Sequence, residues 1–404
     1  MKRLALIVLL SLCFAGNTRA ESPLKSGDRV VFFGDSWTEQ RLYTRFVMEY
    51  FTLRYPGLQV TFRNAGWGGD TSGGGLARLR RDVLSLKPTV VTICYGMNDA
   101  GYREFQQELF DKFMAGMTGI VTQLKHAGIR VVLLTPGLVD TDRVEPRMKI
   151  YNDTLGRFGQ GVKDLAEKEK LEFYNVHDLM LDVHARAKAK DPAYSLNETG
   201  HPTEPGHATI AYAVLKALGC KDQASGLEID AANSQATPDR CQVSELSVKD
   251  DAVTFKRCDD ALPAYLPPKA YSSLKFFPFT KDFNQYNFKA TGLKAGKWTL
   301  IVEGAEVSAF SDKELAAGVN LATLPGPWIK IGEQVDKAAK EQESLYFTQW
   351  RGVSMLEVPG QAQAEHKDLL KRMTELVQEQ ERTRINLVPK DRTWNWRLTW
   401  KDTQ

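Results

Sequence analysis

Histidine is scarce in this chain, 6 residues among 404, and cysteine numbers only 5. His177, His184, His201 and His207 are too widely and irregularly spaced for a recognisable metal motif, so no metal is expected. No glycine-rich loop ends in Gly-Lys-Ser/Thr and no Gly-x-Gly-x-x-Gly follows the first strand candidate, which argues against a phosphate or dinucleotide cofactor. Long apolar runs are also missing. The stretch 4–15 falls short of the roughly 20 residues a membrane span needs. With Lys2 and Arg3 before it and Thr18-Arg19-Ala20 after it, residues 1–20 read as a secretory signal peptide, and export follows. Cys13 follows Leu12, where a lipoprotein signal wants a small residue, so no stable membrane anchor is expected. An excess of one charge is absent too. The formal +3 is cancelled when Lys2, Arg3 and Arg19 leave with the signal, which makes nucleic acid and anionic membranes poor partners. Nothing in the sequence fixes an oligomeric state.

With 43% apolar residues the chain can bury a substantial core, and its length suits two domains. The organising stretch is Val30-Val31-Phe32-Phe33 followed at once by Gly34-Asp35-Ser36, a buried strand that delivers a hydroxyl at the sheet's carboxyl edge. From 28 to 219 apolar strands at 30–33, 58–62, 89–95, 129–135 and 171–176 alternate with helical stretches. Such alternation predicts a parallel sheet covered by helices on both faces over residues 24–219, closed by a helix at 204–218 that Gly219 stops. After Cys220 the texture changes. Strands at 242–248 and 252–257 and a proline-rich passage at 262–268 suggest a small β element or linker over 220–270. Residues 271–404 read as a mixed β/α extension, in which 288–293, 298–303 and 306–310 suggest a hairpin with Gly304-Ala305 at its tip. Helices are expected at 328–350 and 362–383, the second carrying Leu369, Met373, Leu376 and Val377 on one stripe. The final alternation sets Trp394, Trp396, Leu398 and Trp400 on one strand face, which favours core packing over sugar stacking. Cys94 reads as a buried thiol, and export makes a disulfide reasonable, with Cys241–Cys258 preferred over pairings that use Cys220.

Four constellations carry chemistry. Ser36 ends the first strand, although a serine there also suits a helix N-cap. The loop from Asn64 to Gly75 contains Gly69-Asp70-Thr71 and enough glycine for its N–H groups to approach a ligand closely; taken alone it is a flexible turn. Gly96-Met97-Asn98-Asp99 ends the third strand and can aim an amide donor over the same edge. Glu198-Thr199-Gly200-His201-Pro202 precedes the last helix of the domain and offers an imidazole with a nearby carboxylate, the partners a serine nucleophile requires. His207 is expected to pack against or cap that helix.

In this order, each after its own strand, the four blocks resemble the SGNH, or GDSL-type, hydrolase superfamily over about residues 28–219. The resemblance implies a three-layer α/β/α domain of flavodoxin-like type, Ser36 as nucleophile and His201 as base. It also implies an oxyanion hole made by the Ser36 and Gly69 backbone N–H groups and the Asn98 side chain. The family generally has Asp three residues before this histidine, whereas this chain has Glu198. Either Glu198 orients His201, or a backbone carbonyl does, or the site is impaired. Asp35, Trp37 and Trp67 are candidate substrate contacts, the tryptophans by stacking on a sugar ring. The expected activity is ester hydrolysis through an acyl-enzyme, on a small acyl ester or an acetylated polysaccharide, with carbohydrate deacetylation foremost. The alternatives are lipid or thioester hydrolysis, or a non-catalytic carbohydrate-binding protein that kept the fold.

Overall fold

Five short strands take up the apolar runs of the first half. In the computed structural model, which describes residues 22–401 except 144, 146, 147, 149, 222 and 389, they are β1 (Arg29–Gly34), β2 (Thr61–Gly66), β3 (Val90–Cys94), β4 (Arg130–Leu134) and β5 (Glu172–Tyr174). The expected signal peptide at 1–20 lies outside the described residues. The five strands are parallel in the order β2-β1-β3-β4-β5, the flavodoxin-like arrangement. In β1 every residue from Val30 to Gly34 is buried, as a central strand covered on both faces requires. The helices between strands are α1 (Ser36–Glu39), α2 (Leu42–Arg54), α3 (Ser72–Asp82), α4 (Gln107–His126), α5 (Tyr151–Glu169) and α6 (Val176–Lys188). A two-strand ladder, β6 (Asn197–Glu198) with β7 (His201–Pro202), precedes α7 (Glu204–Ala217). Helix α2 packs against α7, while α3 packs against α4 and α4 against α5, the two-sided covering that a parallel sheet requires.

The glycine-rich loop is shorter than its composition suggests, because Gly73, Gly74 and Gly75 lie inside α3, capped by the Thr71 hydroxyl. Their smallness serves close packing. A Cβ on Gly75 would stand 2.6 Å from the Tyr95 hydroxyl, and one on Gly116 of α4 would meet the Ser72 backbone at 2.7 Å.

The second half has a core of its own, although its stretch from Ala264 to Phe283 packs into the core of the α/β domain. It comprises β8 (Ser225–Asp230), β9 (Gln235–Asp239), β10 (Cys241–Lys249), β11 (Ala252–Asp259), the short helices α8 (Tyr271–Leu274) and α9 (Phe279–Phe283), β12 (Tyr286–Thr291), β13 (Lys297–Val302), β14 (Ala305–Ser311), α10 (Asp312–Ala317) and β15 (Val319–Asn320). Two long helices, α11 (Pro327–Phe347) and α12 (Gln363–Asn386), and the last strand β16 (Thr393–Lys401) complete it. One sheet runs β10-β11-β16-β13-β14 and the other β15-β12-β8-β9. Phe255, Phe288 and Trp396 stack between them. Strands from 220–270 and from 286–401 therefore share both sheets. Of the three segments expected to form one hairpin, β13 and β14 do so around Glu303 and Gly304, both at positive φ, but β12 pairs in parallel with β8 in the opposite sheet.

The expected Cys241–Cys258 disulfide is not formed; Cys94, Cys220, Cys241 and Cys258 are all free thiols. The ladder shows why. Cys241 faces Asp259 and Cys258 faces Gln242, so the two cysteines are one register step apart and point to opposite sides of the sheet. Among the described residues no helix is long and apolar enough to cross a membrane.

Candidate active site

The turn after β1 aims Ser36 at the carboxyl edge. Asp35, 1% exposed, caps α1 by accepting from the Trp37 backbone N–H at 3.0 Å. Burial pushes its carboxyl up to about 8, against the lowering effect of that hydrogen bond. Ser36 is thus the first residue of α1, with Asp35 taking the capping role. Across the edge, β7 presents His201, whose Nε2 is 3.1 Å from Ser36 Oγ. The ladder holding His201 is fixed from beneath, where Trp37 donates its indole N–H to the Gly200 carbonyl at 2.8 Å.

Trp37 is 1% exposed and its ring abuts Gly137, so it supports the imidazole loop and does not offer a face to a sugar. Asp35, equally buried, has no surface for substrate either. Trp67 is half-buried, but the Arg351 guanidinium lies 3.4 Å from its ring centroid and Trp350 packs edge-on at 6.1 Å.

Gly69 sits at φ +71° in a turn closed by Asp70 N–H to the Trp67 carbonyl, 3.1 Å, a conformation glycine adopts without strain. Asn98 donates from Nδ2 to the Asp70 carbonyl at 2.8 Å and accepts from the Tyr102 hydroxyl at 2.8 Å. One of its two amide hydrogens is thus committed to the glycine turn, leaving the other free to point elsewhere. Asp99 accepts from the Ser72 N–H and hydroxyl at 2.8 and 2.7 Å, tying β3 to α3, and burial raises its carboxyl to about 6.

Glu198 stands opposite His201 in the β6–β7 ladder, yet its Oε1 accepts from Arg143 Nη1 at 3.1 Å. The carboxylate is therefore committed to Arg143. His207 does not bond Ser36 but braces the end of α1 from its buried position. Its Nε2 bonds Gln40 at 2.9 Å, its ring stacks on Tyr43, and burial lowers its pKa to about 3. His177 bonds the Gly137 carbonyl and His184 lies 3.5 Å from Asp140, so each has a structural partner of its own.

Sequence reasoning missed what lies under the glycine turn. Arg78, 8% exposed, donates to Asp70 at 2.7 Å, Gly34 O at 3.1 Å, Ala65 O at 2.8 Å and the Tyr95 hydroxyl at 2.7 Å, knitting β1, β2, β3 and the turn together. A charged residue beside Leu79 on the buried side of an amphipathic helix was the available signal. No local signal marks Arg351.

Residues 32–209 match the model of the GDSL-like lipase/acylhydrolase family. An acetylxylan esterase of Geobacillus stearothermophilus is 26% identical over 216 residues, 48% of this chain and 95% of that protein. A solved structure of a catalytic mutant of an acetylxylan esterase from the same organism aligns with 49% of this chain and 96% of its own, at 24% identity and TM-score 0.42. A gut microbial diltiazem-metabolizing enzyme matches almost the whole fold, covering 94% of this chain and 99% of its own at TM-score 0.80 and 22% identity.

Proposed function

Because residues 32–209 belong to the GDSL-like lipase/acylhydrolase family and make this protein a carboxylic ester hydrolase, we propose that it is an exported serine esterase that deacetylates carbohydrate through an acyl-enzyme on Ser36. The observation that carries the reading is the 3.1 Å approach of His201 Nε2 to Ser36 Oγ. At that distance the imidazole takes the hydroxyl proton as Oγ bonds to the ester carbonyl carbon. The Ser36 and Gly69 N–H groups and the free Asn98 amide hydrogen receive the negative charge that develops on the carbonyl oxygen. Collapse breaks the bond to the sugar oxygen, which leaves with the proton from His201. Water, deprotonated by the same nitrogen, then adds to the acyl carbon; the bond to Ser36 Oγ breaks, Oγ recovers the proton from His201, and acetate leaves. No metal or cofactor is needed for these steps.

Exposure of Gly68, Gly69 and His201 supports a bulky alcohol, since the acyl group can reach Ser36 while the rest of the substrate stays outside. The acetylxylan esterase similarity supports acetate as the acyl group. Export rests on residues 1–20 alone. The test is acetate release from acetylated polysaccharides, together with the burst from p-nitrophenyl acetate. Ser36→Ala is expected to abolish both, and Asn98→Ala to lower turnover by about 10²–10³ with folding intact. A burst surviving in Ser36→Ala moves the nucleophile elsewhere, and unchanged turnover in Asn98→Ala removes that side chain from the oxyanion hole.

A further inference from the structure

The glycine turn that bears Gly69 is held from its two ends: Arg78 and the Tyr95 hydroxyl donate to the Asp70 carboxylate at 2.7 and 3.0 Å, and Trp67 stands at the other end. Between them Gly68 and Gly69 are exposed and carry no side chains, so the Trp67 ring is the one aromatic anchor of the turn. Its backbone end is tied down, because Trp67 N–H donates to the Gly34 carbonyl at 3.0 Å and Asn98 binds the Asp70 carbonyl. Between those anchors, two consecutive glycines have more conformational freedom than any other dipeptide. With Asp70 already anchored, whatever fixes the Trp67 ring therefore helps set where the Gly69 N–H points.

Arg78 and Arg81 of α3 stand 5.6 and 5.4 Å from the centre of that ring, and the cation nearest to it comes from the C-terminal half. After α11 the chain continues into a π-helical turn, Thr348–Val353, with Ser354 N–H bonding the Gln349 carbonyl at 2.8 Å. Wide turns of this kind are frequent at functional positions. This one projects Arg351 onto the Trp67 face at 3.4 Å from the ring centroid, while Arg351 Nη1 donates to Glu39 Oε1 at 2.9 Å. Glu39 is the last residue of α1, the helix that begins with Ser36. One guanidinium thus touches both the helix of the nucleophile and the turn of the oxyanion donor. Trp350 completes the grip by packing on Trp67 and donating to Asp82 at 3.3 Å, and Gln349 ties the turn to Thr374 of α12 at 2.6 Å.

We propose that Arg351 is a positioning residue for ester hydrolysis: by holding Trp67 against Glu39 it sets the Gly69 N–H relative to Ser36, which makes the C-terminal module part of the working site. This rests on the acyl-enzyme reading above. Small displacements of a donor are costly, since about 1 Å of misplacement can cost 10²-fold in rate. The charge and planarity of arginine both matter here, so lysine replaces it only in part.

The experiment compares wild type, Arg351→Ala, Arg351→Met and Arg351→Lys with p-nitrophenyl acetate, measuring burst amplitude, turnover per active site, KM and melting temperature. Arg351→Ala is expected to lower turnover per site about 10- to 100-fold with KM within about twofold. Arg351→Lys is expected to recover part of that loss. A purely structural role would instead reduce the burst amplitude and leave turnover per remaining site unchanged, and that result overturns the proposal. If Arg351→Ala does not fold, Arg351→Met decides, because it keeps apolar packing on Trp67 without charge or hydrogen bond. A fall in its turnover per site of about fivefold or more supports the positioning role, on the scale set by losing a whole donor, and an unchanged value overturns it. Wild-type protein with no Ser36-dependent burst would instead sink the acyl-enzyme reading, so the two failures are distinguishable.

Discussion

His201 commits one nitrogen to Ser36, and what steadies the other decides how much the site depends on Glu198. The Glu198 side chain is 58% exposed and its partner Arg143 37%, so the ion pair holding the carboxylate away is a surface one. Pairs of this kind are worth about 0–1 kcal/mol. A buried acid that orients the base is a different matter, and replacing one by its amide costs about 10⁴ in turnover. Because Glu198 is exposed and pairs with Arg143 instead of His201, Glu198→Gln is expected to lower turnover less than about tenfold, on that same scale. A measured loss of about 10³ or more would give Glu198 the orienting role after all. The contrast also marks how far single residues can be read from the chain. Ser36 and Asn98 lie just past the ends of β1 and β3 and His201 opens β7, each inside a short motif, so the approach of His201 to Ser36 was legible from motif order. Arg78, Arg143 and Arg351 act through neighbours brought close only by folding, and no spacing announces them.

Among the elements, β16 shows what alternation does encode. Trp394, Trp396 and Leu398 are buried and Asn395 and Arg397 are exposed, the period-two pattern of a strand with one face in a core. Trp396, 1% exposed, stacks on Phe255 at 5.7 Å and on Trp328 at 5.9 Å, joining a strand, its neighbour and α11. Trp396→Ala is expected to destabilise the protein by about 3–5 kcal/mol, read by denaturant unfolding, because a cavity of that size does not close. A cost below about 1 kcal/mol would mean that the sandwich core repacks freely around the gap. Which strands pair was far less legible than which residues face inward. The parallel partnership of β12 with β8 joins segments separated by the β10–β11 hairpin, and neither turn chemistry nor periodicity specifies such a distant pairing. The second strand is displaced for a similar reason. The apolar cue at 58–62 leads into β2, but the strand runs on to Gly66 because Asn64 and Ala65 are buried beside β1.

At the scale of the whole molecule, α11 is the strap between two cores. Its first half places Trp328, Ile331 and Val335 in the sandwich core, and its second half places Ala339 and Tyr346 in the core of the α/β domain. The seam where it crosses α2 is polar. Arg45 pairs with Asp336 at 2.9 Å and with Glu49 at 3.2 Å, and Thr44 donates to Glu343 at 2.9 Å. Arg384 from α12 reaches Gln342 beside it at 2.9 Å. Burial raises the Glu343 carboxyl to about 7, against the lowering influence of the Thr44 hydrogen bond and of Arg45, Arg41 and Arg384. The folded state therefore binds a proton at Glu343 between the ordinary glutamate range near pH 4.5 and about pH 7 that the unfolded chain has released. Glu343 accordingly costs nothing below that window and weighs increasingly against folding as pH rises through it. Glu49, on the same seam, is shifted in the same direction by burial and by Asp336. Glu343→Gln removes one titration while keeping shape and the ability to accept from Thr44. Relative to wild type, it is expected to gain roughly 1–3 kcal/mol in unfolding free energy between pH 5 and 8. Parallel pH profiles for the two proteins would show that the seam admits enough water to relieve Glu343, and that the grip of α11 on α2 does not depend on its protonation.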